Sequence, residues 1–347
     1  MLKVIIIGLG PIGINCAKAV RDDPGMKLVG LVDLDPHKQG KSLNELSVET
    51  KMSRLVPEPI KPARGRAGSM PPKIVSALDA IPTKADLAII TTTSRFDQIA
   101  ATLRECMKHH LHVLSSCEEM SFPRFRHEKL AARIDAEAKR AKVALLGTGV
   151  NPGFVMDLLP VVLSSMVQQV SGVKVIRRLD AGKRRLPLQK KVGATMTPRQ
   201  FNDLAGQGNI GHKGIGESVA MIAAALGKIA KTSDVKITLE PVIARRKLSS
   251  QLGIIQPGMV SGMRNTATWQ DKNLRIELDL TMAVGADDPQ DRVEISGPTP
   301  LIATIADSIP GDSATVAALV NCARLLPTLP PGLKTMLDLP PAASRHA

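Results

Sequence analysis

The chain has 347 residues, 46 Lys plus Arg against 32 Asp plus Glu, and so a net charge of +14. Five Phe, one Trp and no Tyr leave few aromatic faces on which bases could stack, which argues against single-strand nucleic-acid binding. An apolar share of 44% excludes a disordered or fibrous chain and supplies core for two domains, and the excess positive charge is either solvated surface or a lure for an anionic ligand.

Val4 to Ile7 is a β-branched run bounded by glycine and reads as a buried parallel strand. A helix follows over Pro11 to Val20, a strand over Leu28 to Val32 and a helix over Pro36 to Leu46. Residues 50–73 carry five prolines with Arg64 and Arg66 and read as a loop or insertion. Order resumes with strands at Leu87 to Thr91, Leu111 to Ser115 and Val143 to Leu146, and helices at Asp97 to His109 and Pro123 to Ala141. Such alternation implies βαβ units and a parallel sheet. After Gly147 the texture changes. A helix over Val155 to Val167 leads to strand-like runs at 173–179, 235–245, 274–284 and 292–295, with helices at 198–205 and 217–226. Few crossovers suit an α+β domain with a mixed sheet. Ala314 to Leu326 reads as a last helix, and the proline-rich tail is expected to wrap the surface.

Gly8-Leu9-Gly10-Pro11-Ile12-Gly13 matches GxGxxG between a strand and a helix. Gly8 allows the tight turn, Gly10 lets backbone approach a pyrophosphate, and Gly13 lets helix and strand pack closely, with the helix N-terminus facing the phosphates. Asp33 lies 20 residues after Gly13, where an acid accepts hydrogen bonds from the ribose hydroxyls of NAD. Lys38, Arg64 and Arg66 would instead surround the 2′-phosphate of NADP, so the cofactor is read as NAD or NADP. Thr91, Thr92, Thr93 and Ser94 stand where small polar residues border the nicotinamide ribose and phosphate. The fold class is therefore α/β: an N-terminal Rossmann dinucleotide-binding domain over 1–150, with the segment of about 311–347 packing back on it, and an α+β substrate domain with a mixed sheet over 151–310.

Glu118 and Glu119 follow the strand ending at Ser115, at the edge where open α/β sheets bind ligands. In extended geometry the two point to opposite faces, so one of the pair reaches the substrate; the alternative is a cluster capping the helix near Pro123. Asn151, in the turn Gly147 to Phe154, either hydrogen-bonds a substrate or caps the next helix. Arg177 and Arg178 face opposite sides of a strand, and one of them is placed to clamp a carboxylate, although a solvated basic edge explains most cations of 177–191. His212, between Gly211 and Lys213, is a further polar candidate. No metal-ligand spacing occurs among the cysteines at 16, 106, 117 and 322, which are expected to be free thiols. No stretch approaches a membrane span and no signal peptide is evident, so a soluble cytoplasmic protein is expected.

The GLGPIG turn, SSCEEMSFP (115–123), LLGTGVNPGFVMDLLP (145–160), RRLDAGKRRLPLQKKVG (177–193), PGMVSG (257–262), GDSATVAALVN (311–321) and PGLKTMLDLP (331–340) together resemble the 2,4-diaminopentanoate dehydrogenase and native amine dehydrogenase family. The resemblance implies an NAD(P)-dependent oxidoreductase that interconverts a primary amine, a diamino acid or a short aliphatic amine, with a ketone plus ammonia. It also implies a homodimer whose second domain supplies the interface; from composition and the lack of an apolar span, neither a nucleic-acid nor a membrane partner is expected. It places the catalytic acid at Glu119, with Glu118 as the alternative, and Asn151 and Arg177 in the substrate pocket. Phe122 stands where the family often has Tyr or Trp, and Leu188 where Phe is common. The competing readings are a reductase or dehydrogenase of another amino or hydroxy acid on the same fold, and a non-catalytic NAD(P)-sensing module that binds nucleic acid.

Overall fold

The computed structural model describes residues 1–49 and 72–344. Arg64 and Arg66 lie outside the described residues. The chain divides into two compact units, Met1–Phe154 with Gly311–Ala347, and Val155–Pro310.

The first unit opens with β1 (Leu2–Ile7), α1 (Pro11–Asp22), β2 (Met26–Val32), α2 (Leu43–Glu49) and β3 (Ile74–Val75), then β4 (Leu87–Ile90), α3 (Phe96–Lys108), β5 (His112–Ser115), α4 (Arg124–Ala141) and β6 (Ala144–Gly147). The second unit holds α5 (Leu158–Ser164), β7 (Gly172–Asp180), α6 (Leu186–Lys191), α7 (Pro198–Gly206), α8 (Ile215–Ala225), β8 (Lys236–Ile243), β9 (Leu248–Ser250), β10 (Gly253–Ile255), β11 (Val260–Gln270), β12 (Arg275–Ala283), β13 (Gln290–Ser296) and β14 (Leu301–Ala306). The chain returns to the first unit with α9 (Gly311–Ala323) and β15 (Gly332–Lys334).

The described strands of the first unit form a parallel sheet in the order β15-β6-β5-β4-β1-β2-β3. The order reverses between β1 and β4, which makes their carboxyl ends the switch point of a doubly wound fold. Val4 to Ile7 and Leu87 to Ile90 are buried at every position, because helices cover both faces. α1 packs with α9 and α2, and α3 with α4. In the second unit the strand order is β14-β13-β7-β12-β11-β8. β7 runs parallel to β12 and antiparallel to β13, so the sheet is mixed. α8 packs on β11 and β12, and α5 on β13.

Several elements differ from the expected ones. The helix expected over 36–46 breaks into a 3-10 turn at Pro36–Lys38 and α2, because Gly40 sits in the left-handed region at φ +74°. The tail does not simply wrap the surface: β15 adds a parallel strand to β6, with Gly332 opposite Ala144. β11, the longest strand of the second sheet, has no counterpart among the expected runs. Its inward positions include Asn265, whose side chain donates to the Thr238 carbonyl at 2.7 Å, and Ala267, so its apolar signal is weak.

Candidate active site

The glycine-rich turn is knitted into the switch point. Gly8 N–H donates to the Val32 carbonyl at 2.8 Å, Thr91 N–H to the Ile7 carbonyl at 2.9 Å, and the Thr91 hydroxyl to the Gly8 carbonyl at 2.7 Å. Gly8 has φ +88°, a conformation that L side chains rarely adopt. A Cβ on Gly13 would stand 1.9 Å from the Gly8 carbonyl oxygen, so only glycine lets α1 pack this closely on β1. At Gly10 a Cβ would meet nothing within 4 Å, and no side chain caps the start of α1. Backbone N–H groups of that first turn therefore face open space, with the positive end of the helix dipole behind them. Pro11 occupies the first helical position, where it sacrifices no hydrogen bond, and Ile12 follows it.

Asp33 extends this turn. Its Oδ2 accepts from Leu9 N–H at 2.6 Å and from Lys38 Nζ at 2.9 Å, and its Oδ1 accepts from Asp35 N–H at 2.9 Å. Burial pushes the Asp33 carboxyl up, but the Asp35 N–H, the Lys38 ammonium and the Leu9 N–H together outweigh it and hold the group below the usual carboxylate range. The turn, the helix start and the acid fit the pyrophosphate and adenosine ribose of NAD or NADP. Thr92 is exposed; Thr93 and Ser94 are half-buried beside it, with the Thr93 hydroxyl donating to Gln98 Oε1 at 2.7 Å.

The acid pair sits in a 3-10 turn, Glu118–Ser121, that leaves the carboxyl end of β5. A Cβ on Gly147 would lie 2.4 Å from the Met120 carbonyl carbon, so a glycine at the end of β6 lets this turn lie close against the sheet. The two glutamates part company here. Glu119 is buried, and its Oε2 accepts from Phe96 N–H at 2.9 Å and faces His127 Nε2 at 3.0 Å. Its own N–H donates to the Ser94 carbonyl at 3.2 Å. Glu119 thus caps the first turn of α3 and ties the Thr92–Phe96 loop to the acid turn. Glu118 is half-buried.

His127 carried no sequence signal, because its neighbours in space are far apart in the chain. It occupies a kink in α4 at φ −125°, ψ 45°, with its ring tilted against Phe96 at 5.8 Å between centroids. One polar side-chain atom from each of Asp97, Glu119 and His127 lies within 4.8 Å of the other two, and Arg95 holds Asp97 through Nε and Nη2 at 3.1 and 2.7 Å.

The substrate candidates are not equivalent. Asn151 is half-buried in the first unit, before the cis bond to Pro152, and His212 is half-buried in a glycine-bounded loop of the second. Arg177 departs from expectation. It is about 1% exposed, with Nη1 on Asp291 Oδ2 at 2.9 Å and Nη2 on the Ile309 carbonyl at 2.7 Å. Ser308 Oγ and Ile309 N–H complete the shell of Asp291 at 2.5 and 2.8 Å. Burial lowers the guanidinium to about 10 against the pull of Asp291, so it remains charged at neutral pH. Its charge is balanced inside the unit, which corrects the reading of Arg177 as a carboxylate clamp.

Residues 154–346 match the family model of the 2,4-diaminopentanoate dehydrogenase C-terminal domain. The 2,4-diaminopentanoate dehydrogenase of Acetoanaerobium sticklandii is 30% identical, over 98% of this chain and 93% of the relative. This chain belongs to the 2,4-diaminopentanoate dehydrogenase family. Members of that family are oxidoreductases acting on CH–NH2 groups, and this chain is one of them. Among solved structures, the amine dehydrogenase from Mycobacterium smegmatis superposes with a TM-score of 0.82 at 20% identity, covering 99% of this chain and 97% of that one. A probable dehydrogenase from Thermotoga maritima follows the fold at a TM-score of 0.56 and 14% identity, covering 97% and 92%. The dehydrogenase family assignment and the doubly wound fold thus agree.

Proposed function

We propose that this dehydrogenase interconverts a primary amine, either a diamino acid or a short aliphatic amine, with the corresponding ketone and ammonia. The carrying observation is the division of labour in the acid turn: one glutamate locked into the fold beside the cofactor loop, the other half-exposed next to it. NAD or NADP, when bound, supplies or takes the hydride. The chain's own residues do the rest. The start of α1 and Gly10 hold the pyrophosphate, and Asp33 orients the ribose. Thr92, Thr93 and Ser94 border the nicotinamide end. Ammonia is largely protonated at neutral pH and the imine carbon is most electrophilic as a cation, so a carboxylate is needed to move protons and balance positive charge.

We assign that role to Glu118, the half-exposed acid of the pair, over the buried Glu119, whose Oε2 accepts from Phe96 N–H and faces His127 Nε2. Asn151, in the first unit with the acid turn, is the polar residue we place beside the substrate. A homodimer, with the second unit supplying its interface, is part of the same proposal. Four free, buried thiols suit a reducing cytoplasm, and among the described residues no helix is long and apolar enough to cross a membrane.

The test is a spectrophotometric screen of amines with NAD+ and NADP+, and of ketones with ammonia and the reduced cofactors. Turnover by the wild type is expected, with Glu118→Gln lowering kcat about 10²–10⁴-fold while dinucleotide affinity changes little. Full activity of Glu118→Gln alongside loss in Glu119→Gln would return the role to Glu119. Absence of turnover with every amine and ketone would overturn the amine assignment.

A further inference from the structure

α4 contains neither proline nor glycine, yet it leaves helical geometry at His127, with φ −125° and ψ 45°. A kink has an identifiable cause. The main chain is not that cause, since His127 N–H still donates to the Pro123 carbonyl at 2.9 Å. The side chain is: the kink presents the imidazole to Glu119, with Nε2 3.0 Å from Oε2 and the ring tilted against Phe96. Around the ring stand Glu119 from the acid turn, Asp97 from the first turn of α3, and Arg95, which precedes α3 and binds Asp97. Glu119 joins two segments, because its Oε2 accepts from Phe96 N–H and its own N–H donates to the Ser94 carbonyl. One of these segments leaves β4 and the other leaves β5, and both belong to the first unit. His127 is the outer support of this joint between the Thr92–Phe96 loop and the acid turn, and it comes from a third element, α4.

We propose that His127 is a positioning residue for the dehydrogenase reaction: it holds Glu119 on Phe96, and through Glu119 it fixes the turn that carries Glu118 against the Thr92–Ser94 loop. This role rests on the reading of that turn and loop given above. An imidazole suits it for two reasons. Nε2–H donates to a carboxylate from the neutral ring as well as the charged one, so the hold does not depend on the proton count. The flat ring also packs on Phe96, which fixes the direction of the N–H. His127 is assigned no contact with a reacting atom. It acts through Glu119 on where the acid turn stands, and a displacement of about 1 Å at a reacting centre can cost about 10²-fold in rate. Asp33 keeps its own partners, Leu9 N–H and Asp35 N–H, so the adenosine half of the dinucleotide is held without His127.

The experiment compares the wild-type enzyme with His127→Leu, which keeps an apolar contact for Phe96 but offers no donor, and with His127→Gln, which offers one. Three quantities are measured: amide hydrogen exchange over residues 92–97 and 117–121, the dissociation constants of NADH and NADPH, and kcat and KM for an amine the wild type turns over. His127→Leu should speed exchange in both segments and lower kcat about 10–100-fold, with cofactor affinity little changed. His127→Gln should recover most of both losses. In a Glu119→Met background, His127→Leu should add little further loss, because the residue it acts through is gone. Unchanged exchange or unchanged kcat in His127→Leu, equal loss in His127→Gln, or a fully additive loss in the double variant overturns the positioning role. The underlying reading fails differently. A Glu118→Gln enzyme of full activity, with the His127 series behaving as expected, moves the acid role away from Glu118 and leaves His127 in place. A wild type that turns over no amine overturns the amine assignment, and the exchange data then decide by themselves whether His127 holds the joint.

Discussion

The two sheets bury apolar surface in different ways. Strands of the first are continuous apolar runs, as in Leu87–Ile90, where every residue is buried. Strands of the second alternate: in β7, Val173, Val175, Arg177 and Leu179 are buried while Lys174 is exposed and Ile176 and Arg178 are half-buried. Helices close both faces of the first sheet, so a side chain there has no outward option. The second sheet has one polar face, and this is where its charges collect. The lesson concerns sites. The first sheet leaves only its strand ends for chemistry, and the glycine turn, Asp33, the Thr92–Ser94 loop and the acid turn all lie at those ends. The second sheet can carry charge along its whole length, and it even places the Arg177–Asp291 pair on its buried face.

The largest expected effect tests that pair. Arg177→Met leaves Asp291 buried without its counter-ion and should destabilise the enzyme by about 3–5 kcal/mol in denaturant unfolding. Adding Asp291→Leu should recover much of the loss, since the pair itself is worth little against an apolar replacement. Loss of the same size in the double variant would mean that packing, not charge, dominates there.

A matched pair of truncations sharpens the comparison itself. Ile89→Ala, in a strand closed on both faces, should cost about 2–5 kcal/mol, whereas Thr268→Ala on the half-exposed face of β11 should stay within about 0.5 kcal/mol. Comparable costs would remove the distinction between the sheets. His127→Ala should cost about 1–3 kcal/mol, because the buried Glu119 carboxylate loses a partner, and His127→Gln should restore part of it by offering a donor from the same place. Melting temperatures of the three proteins decide this.

Smaller effects belong to solvent-facing groups. Arg264→Ala, which removes the ion pair with Asp279 on the polar face, should change stability by about 0.5 kcal/mol or less in the single chain, and less again at high salt. The thiols offer a pH test. Burial pushes Cys16, Cys106 and Cys322 up to about 12 and raises Cys117 as well. An unfolded thiol ionises near about 8.5, so the contribution of these protonated thiols is fully present below that pH and is lost as pH rises toward the folded values. Unfolding free energy should therefore decline on the alkaline side, and a thiol reagent at pH 8 should label the folded enzyme hardly at all.

Legibility followed the range of the interactions. β1, α1, β4 and β5 were readable because a buried parallel strand and a glycine-rich turn are written in consecutive residues. β11 was not, since its inward Asn265 is satisfied by Thr238, a partner 27 residues away. β15 is three residues long and exists only because β6 offers it an edge. In the site, the spacing from Gly13 to Asp33 and the paired glutamates were visible in the chain. The ties from Glu119 to Ser94, Phe96 and His127 were not.

By itself the sequence determined the dinucleotide turn, the acid of the second strand and an acid pair at a strand end, because each depends on neighbours a few residues away. Only the tertiary structure decided that Glu119 is buried against Phe96 and His127, that Arg177 is held by Asp291, and that Lys38 pairs with Asp33. Those outcomes depend on which groups burial brings together and which donors then occupy each carboxylate, and no local pattern encodes either.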